Sequence, residues 1–201
     1  MTTTVYVTVN GSGTCVVTPP PPPPGSEITT GNGPYGIAFD SASNELFVTN
    51  FHDNTVSVIS LKTNTTVATI PVGLNPTGIA YDPVNNEIFV ADYTSNASTI
   101  IDASTFAIVK TIGGLYLPVG VLYVPSNGEI YISNSASPSG NLVNGTVTVI
   151  NSATNSAVGS ILVGGGPWGL ALDTRTNQIF VSDHSHWGKC FGDRSFDKQN
   201  H

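Results

Sequence analysis

The chain has 201 residues, of which 39% are hydrophobic and only 9% charged, and six Lys and Arg stand against thirteen Asp and Glu for a net charge of -7. A typical soluble domain carries about 25% charged residues, so Ser, Thr, Asn and Gly must supply the polar surface, while 21 Gly and 14 Pro argue for turns over long helices. The six cations form no cluster able to displace counterions from nucleic acid or to hold a polybasic membrane patch, and no run of about 18 apolar residues encodes a membrane span.

The first eighteen residues open directly on the strand-like Thr2-Thr3-Thr4-Val5-Tyr6-Val7-Thr8-Val9, without the charged-then-apolar layout of a signal peptide. We read the chain as a piece of a longer exported protein. Residues 19–26 form a linker built on Pro19 to Pro24. Six prolines in polyproline II rise about 3.1 Å each, a stiff spacer of roughly 19 Å.

Residues 27–183 carry an internal repeat. Four segments align: Gly33-Pro34-Tyr35-Gly36-Ile37-Ala38-Phe39-Asp40, Asn75-Pro76-Thr77-Gly78-Ile79-Ala80-Tyr81-Asp82, Leu117-Pro118-Val119-Gly120-Val121-Leu122-Tyr123-Val124 and Gly166-Pro167-Trp168-Gly169-Leu170-Ala171-Leu172-Asp173. Pro34, Pro76, Pro118 and Pro167 follow at intervals of 42, 42 and 49 residues. A second marker keeps the same phase: Phe47-Val48-Thr49-Asn50, Phe89-Val90-Ala91-Asp92, Tyr131-Ile132-Ser133-Asn134 and Phe180-Val181-Ser182-Asp183. The seven extra residues of the last interval fall in Ser135 to Asn141, a loop composition.

Each unit reads as four short strands. In the first unit these are Gly36 to Asp40, Leu46 to Asn50, the run around Val56, Val58 and Ile59, and Val67 to Val72. Asn44, Asn86, Gly128 and Asn177 sit between the first two strands, and these residue types tolerate the positive φ of a hairpin turn. Four strands per 40–45 residues is the spacing of a propeller blade, and a blade buries its faces only by stacking on neighbours. The expected fold is therefore all-β, a β-propeller-type array of four-stranded antiparallel blades with about three and a half repeats. A β-sandwich does not predict two markers holding phase over four copies.

The units resemble the YVTN family of β-propeller repeats, through Pro76 to Pro83, Phe47 to Asn50, Thr55 to Ser60 and Val67 to Gly73. That resemblance implies kinship with archaeal surface-layer and other secreted propellers, and with relatives of propeller enzymes. Such propellers usually have six or seven blades. Ile28 to Gly31 align with Ile70 to Gly73 as a lone outermost strand, and the fourth unit stops after its second strand. Three arrangements stay open: a piece of a longer propeller, a closed four-blade ring completed by the N-terminal strands, and two copies forming one seven-blade ring.

Residues 184–201 form a divergent tail holding Lys189, Arg194 and Lys198, three of the six cations, and three of the four histidines. His184, His186 and Cys190 are metal-ligand types, but a fourth ligand and a motif are missing, so no metal is expected. Cys15 and Cys190 can pair only if the two ends of the chain meet.

No P-loop, dinucleotide fingerprint, G-x-S-x-G elbow or H-E-x-x-H occurs, and no cofactor is expected. Asp40, Asp82 and Asp173 recur where a strand yields to a turn, a place where Asp bonds its own backbone. His52 is a loop histidine with no evident catalytic partner. Trp168 takes the slot of Tyr35, Thr77 and Val119, where it either packs under a loop or stacks on a sugar. Asn10, Asn64, Asn96 and Asn144 head N-x-S/T sequons. Together with the scarcity of Lys and Arg, these point to an extracellular or cell-surface scaffold or adhesion module, non-catalytic, with other protein chains, further blades or glycans as partners. The alternative is a piece of a propeller enzyme or cofactor-bearing subunit, a lyase or dehydrogenase relative.

Overall fold

The computed structural model describes residues 27–136 and 145–183. Among these residues every regular element is a β-strand, and no helix is long and apolar enough to cross a membrane. The first blade comprises β1 (Pro34–Asp40), β2 (Glu45–Asn50), β3 (Thr55–Ser60) and β4 (Thr65–Pro71). The second comprises β5 (Pro76–Asp82), β6 (Glu87–Asp92), β7 (Ala97–Asp102) and β8 (Ile108–Gly113), and the third β9 (Pro118–Val124), β10 (Glu129–Asn134), β11 (Gly145–Asn151) and β12 (Ser156–Gly164). Of the fourth, the described residues hold β13 (Pro167–Asp173) and β14 (Gln178–Asp183). Each sheet is an antiparallel meander in chain order. The first strands neighbour one another as β1, β5, β9 and β13, so they form the inner row of the array.

The turns follow from local chemistry. Asn44, Asn86, Gly128 and Asn177 all adopt positive φ between the first and second strands, as their residue types predict. Asp40 Oδ1 accepts the Ala42 N–H at 2.8 Å, Asp82 Oδ1 the Val84 N–H at 2.9 Å, and Asp173 Oδ1 the Arg175 N–H at 2.9 Å. Burial raises the Asp40 pKa, but hydrogen bonds from Ser43, Ala42 and the Tyr81 hydroxyl of the next blade outweigh it and hold the carboxyl below its ordinary value. These carboxylates serve their own turns.

The core lies between blades. Phe47, Val58 and Ile70 of the first blade pack with Ile79, Ile88 and Ile101 of the second. Phe89, Ile100 and Ile112 pack with Ile130, Ile132 and Ile150, and Tyr131, Val147 and Val163 with Ile179. One turn is unusual. Asn64, Phe106 and Asn155 occupy equivalent places between the third and fourth strands, all at positive φ. A bulky residue is rare in that region, and Phe106 is held there by packing on the first interblade core, edge-on to Phe47 at 6.0 Å. Its equivalent Asn155 also reaches back one blade, donating from Nδ2 to both Glu87 carboxylate oxygens at 3.0 Å.

Two expectations need correction. Residues 28–31 form no strand; Thr29 offers its carbonyl to the Thr66 hydroxyl at 2.5 Å and Gly31 its N–H to Ser57 Oγ at 3.3 Å. Phe180 is not enclosed like Phe47, Phe89 and Tyr131 but is 36% exposed, because no described blade follows β14.

Candidate interaction surface

The inner row is joined by a recurring contact. A Cβ added to Gly36 would stand 2.5 Å from the Thr77 carbonyl oxygen, one at Gly78 2.2 Å from that of Val119, and one at Gly120 2.4 Å from that of Trp168. Only glycine lets the following blade approach so closely. A hydroxyl completes the join. Thr49 Oγ1 accepts the Gly36 N–H at 2.8 Å and donates to the Thr77 carbonyl at 2.7 Å. Ser133 Oγ does the same between Gly120, at 2.8 Å, and Trp168, at 2.6 Å. The second blade has Ala91 in that slot, and there the Thr77 hydroxyl lies 3.2 Å from the Val119 carbonyl instead.

A second device operates at the loops preceding the inner strands. Asn54 Oδ1 accepts the Asn75 N–H at 2.8 Å, and Asn96 Oδ1 accepts the Leu117 N–H at 2.9 Å. In each case an Asn at positive φ in the turn after the second strand ties down the chain entering the next blade.

Beneath these loops lies a polar row at the end of each second strand. Asn50 Nδ2 donates to Thr55 at 3.0 Å and Ser57 at 2.9 Å, and Asn134 Nδ2 to Thr146 at 3.1 Å and Thr148 at 2.9 Å. The second blade substitutes Asp92, which accepts from the Thr99 hydroxyl at 2.6 Å and leaves Oδ1 buried without a partner. Burial pushes the Asp92 carboxyl up to about 6, although the Thr99 hydroxyl and the Gly73 and Thr99 N–H groups pull the other way.

The candidate site residues scatter over this framework. Trp168 is 39% exposed at the start of β13, with its carbonyl engaged by Ser133. His52 lies at the opposite end of the array, its ring edge-on to Phe51 at 5.2 Å, and Phe51 stacks on Tyr35 at 6.2 Å. Asn64 is exposed. Asn96 is exposed too, but its amide oxygen holds Leu117, and Ser98 of its sequon is fully buried. Asn10, Asn144, His184, His186, Cys15 and Cys190 lie outside the described residues, as do Pro19 to Pro24. Among the described residues no group of three His, Cys, Asp or Glu could hold a metal ion. The hydroxyl join, the Asn clamp and Phe106 escaped the sequence reading; the Thr49, Ser133 and Ser182 slot within the second marker was the available signal for the first.

Repeated four-stranded meanders, inner strands in a row and cores between sheets define a β-propeller repeat protein. The chain belongs to the YNCE-like beta-propeller family, whose model matches residues 28–135. No curated protein matches it in sequence. Among solved structures it is similar to Kuenenia stuttgartiensis hydrazine synthase, at 20% identity and a TM-score of 0.67 over 80% of this chain and 45% of that one. It is also similar to a chain of a nidogen/laminin complex, at 22% identity and a TM-score of 0.60 over 75% of this chain and 56% of that one. The chain thus spans about half the length of the structures it resembles.

Proposed function

We propose that the protein is a non-catalytic propeller scaffold, an interaction or adhesion module of an extracellular or cell-surface protein of YVTN, surface-layer type. The observation that carries this reading is the use of its recurring carboxylates. Asp40, Asp82 and Asp173 bind the N–H groups of their own turns, so the acids a catalytic reading would need are engaged in holding the scaffold together. Exposed Asn64 and Asn96 support a glycoprotein, and half-exposed Trp168 supports a contact with a sugar or a protein surface. The nidogen/laminin chain, found in a protein complex, favours protein partners. At 20% identity the likeness to hydrazine synthase is one of fold, and the reading as an enzyme piece gains nothing from it.

Surface labelling of intact producing cells tests the location, combined with peptide mapping for glycans at Asn64 and Asn96. Labelling by an impermeant amine reagent is expected. A protein reached only after lysis, and unmodified at both asparagines, would refute the surface reading.

A further inference from the structure

Each following blade seats its inner strand on the first two strands of the blade before it. β5 lies on β1 and β2, β9 on β5 and β6, and β13 on β9 and β10. The seat is thus complete wherever a first and second strand pair, and β13 with β14 is such a pair. There the Gly169 N–H donates to Ser182 Oγ at 2.8 Å, the distance found at Gly36 with Thr49 and at Gly120 with Ser133. What differs is the occupant. A Cβ at Gly169 would meet only Ser182 Oγ, at 3.3 Å, with no carbonyl of a following strand. The Ser182 hydroxyl reaches just the Gly169 carbonyl, at 3.5 Å, where Thr49 and Ser133 donate across to the next blade.

The same chain carries the matching plug. β1 opens on Pro34-Tyr35-Gly36, so the Tyr35 carbonyl stands where those of Thr77, Val119 and Trp168 stand in the later blades. Behind it, Ile37 is 55% and Phe39 49% exposed, whereas their equivalent Ile79 is buried against the preceding blade and Tyr81, Val121 and Tyr123 are partly buried there.

We propose that β1 of a second copy of this chain seats on β13 and β14, with its Tyr35 carbonyl over Gly169 accepting from Ser182, and Ile37 and Phe39 covering Phe180. A second copy is the occupant because seat and plug are both present on one molecule, and within it the seat is filled three times by strands of this pattern. The contact is head-to-tail, so it closes into a ring where the rotation permits and otherwise extends as an array. It goes beyond the surface-scaffold reading and stands or falls independently of where the protein resides.

The test is size exclusion with light scattering on the 201-residue chain and two variants. Ile37→Asp spoils the plug, and Gly169→Val fills the seat. The unsubstituted chain should gain mass with concentration, and each variant alone should remain monomeric. Mixed in equal amounts, the two should form a heterodimer, since one keeps an intact seat and the other an intact plug. A monomer at every concentration, variants that associate like the parent, or a mixture that forms no heterodimer would each overturn the proposal. Circular dichroism checks that the variants fold, and Phe39→Ser replaces Ile37→Asp if that variant does not. Ser182→Ala removes one hydrogen bond and little volume, and should weaken association about fivefold; an unchanged association constant would overturn the carbonyl seat.

Discussion

The second and fourth blades begin with the same strand pair and differ in what lies on either side. In the second, Phe89 is fully buried, Gly78 has a backbone carbonyl against it, and Asp92 is enclosed. In the fourth, Phe180 is 36% exposed and Gly169 faces no following strand. Nearly identical sequence therefore becomes core or surface according to whether a neighbour is present. Stability in such arrays resides in the interfaces between repeats as much as in the repeats themselves.

The sharpest way to break this comparison is to truncate the marker aromatics. Phe89→Ala should cost about 3–5 kcal/mol, the range for a buried Phe, and Phe180→Ala should cost about 1 kcal/mol or less, because much of its ring already meets solvent. Urea titration of both variants measures the gap. Equal losses would show that β14 is enclosed in solution.

A pH titration sharpens it next. The Asp92 carboxyl is raised from 3.8 to about 6 by burial, so the folded chain binds a proton that the unfolded chain has already released between those values. Stability should fall as pH rises from about 4 to about 6 and level off above, by at most roughly 3 kcal/mol. Asp92→Asn should abolish that slope and stabilise the chain at pH 7, by restoring the amide that Asn50 and Asn134 supply in their blades. A slope unchanged in Asp92→Asn would assign it to another group.

The glycines come third. Gly78→Ala pushes a methyl against the Val119 carbonyl and should cost about 1–3 kcal/mol or more, while Gly169→Ala meets only a hydroxyl that can turn aside and should be nearly neutral. Melting temperatures of the pair suffice to check this. The smallest effect belongs to Asn96→Ala. Loss of the bond to Leu117 should cost about 1 kcal/mol, with faster amide exchange at Leu117 as the specific readout.

Much of this was legible before any coordinates. The two phased markers located every blade, the Asn and Gly turn residues took the positive φ that their chemistry suggests, and the repeated Asp side chains proved to be turn residues. What escaped were contacts between blades. Thr49 meets Thr77 and Ser133 meets Trp168 at separations set by blade stacking, and neither leaves a local pattern. The hydroxyl even changes strands in the second blade, from the Ala91 slot to Thr77, so aligning the repeats hides it. Phe106 misled for the opposite reason: its turn position calls for Asn or Gly, and tertiary packing overrides that preference. The lone strand expected at Ile28 to Gly31 failed because its ladder partner would belong to a blade outside the described residues.

The slot shared by Asn64, Phe106 and Asn155 has one further consequence. Phe106 and Asn155 reach back onto the preceding blade, so Asn64 occupies the place from which the first blade would touch whatever precedes it. A sugar chain on Asn64 and a protein surface against β1 therefore compete for the same volume. A molecule bearing that modification would act as a chain terminator, able to receive a neighbour on one side and to offer itself to none on the other.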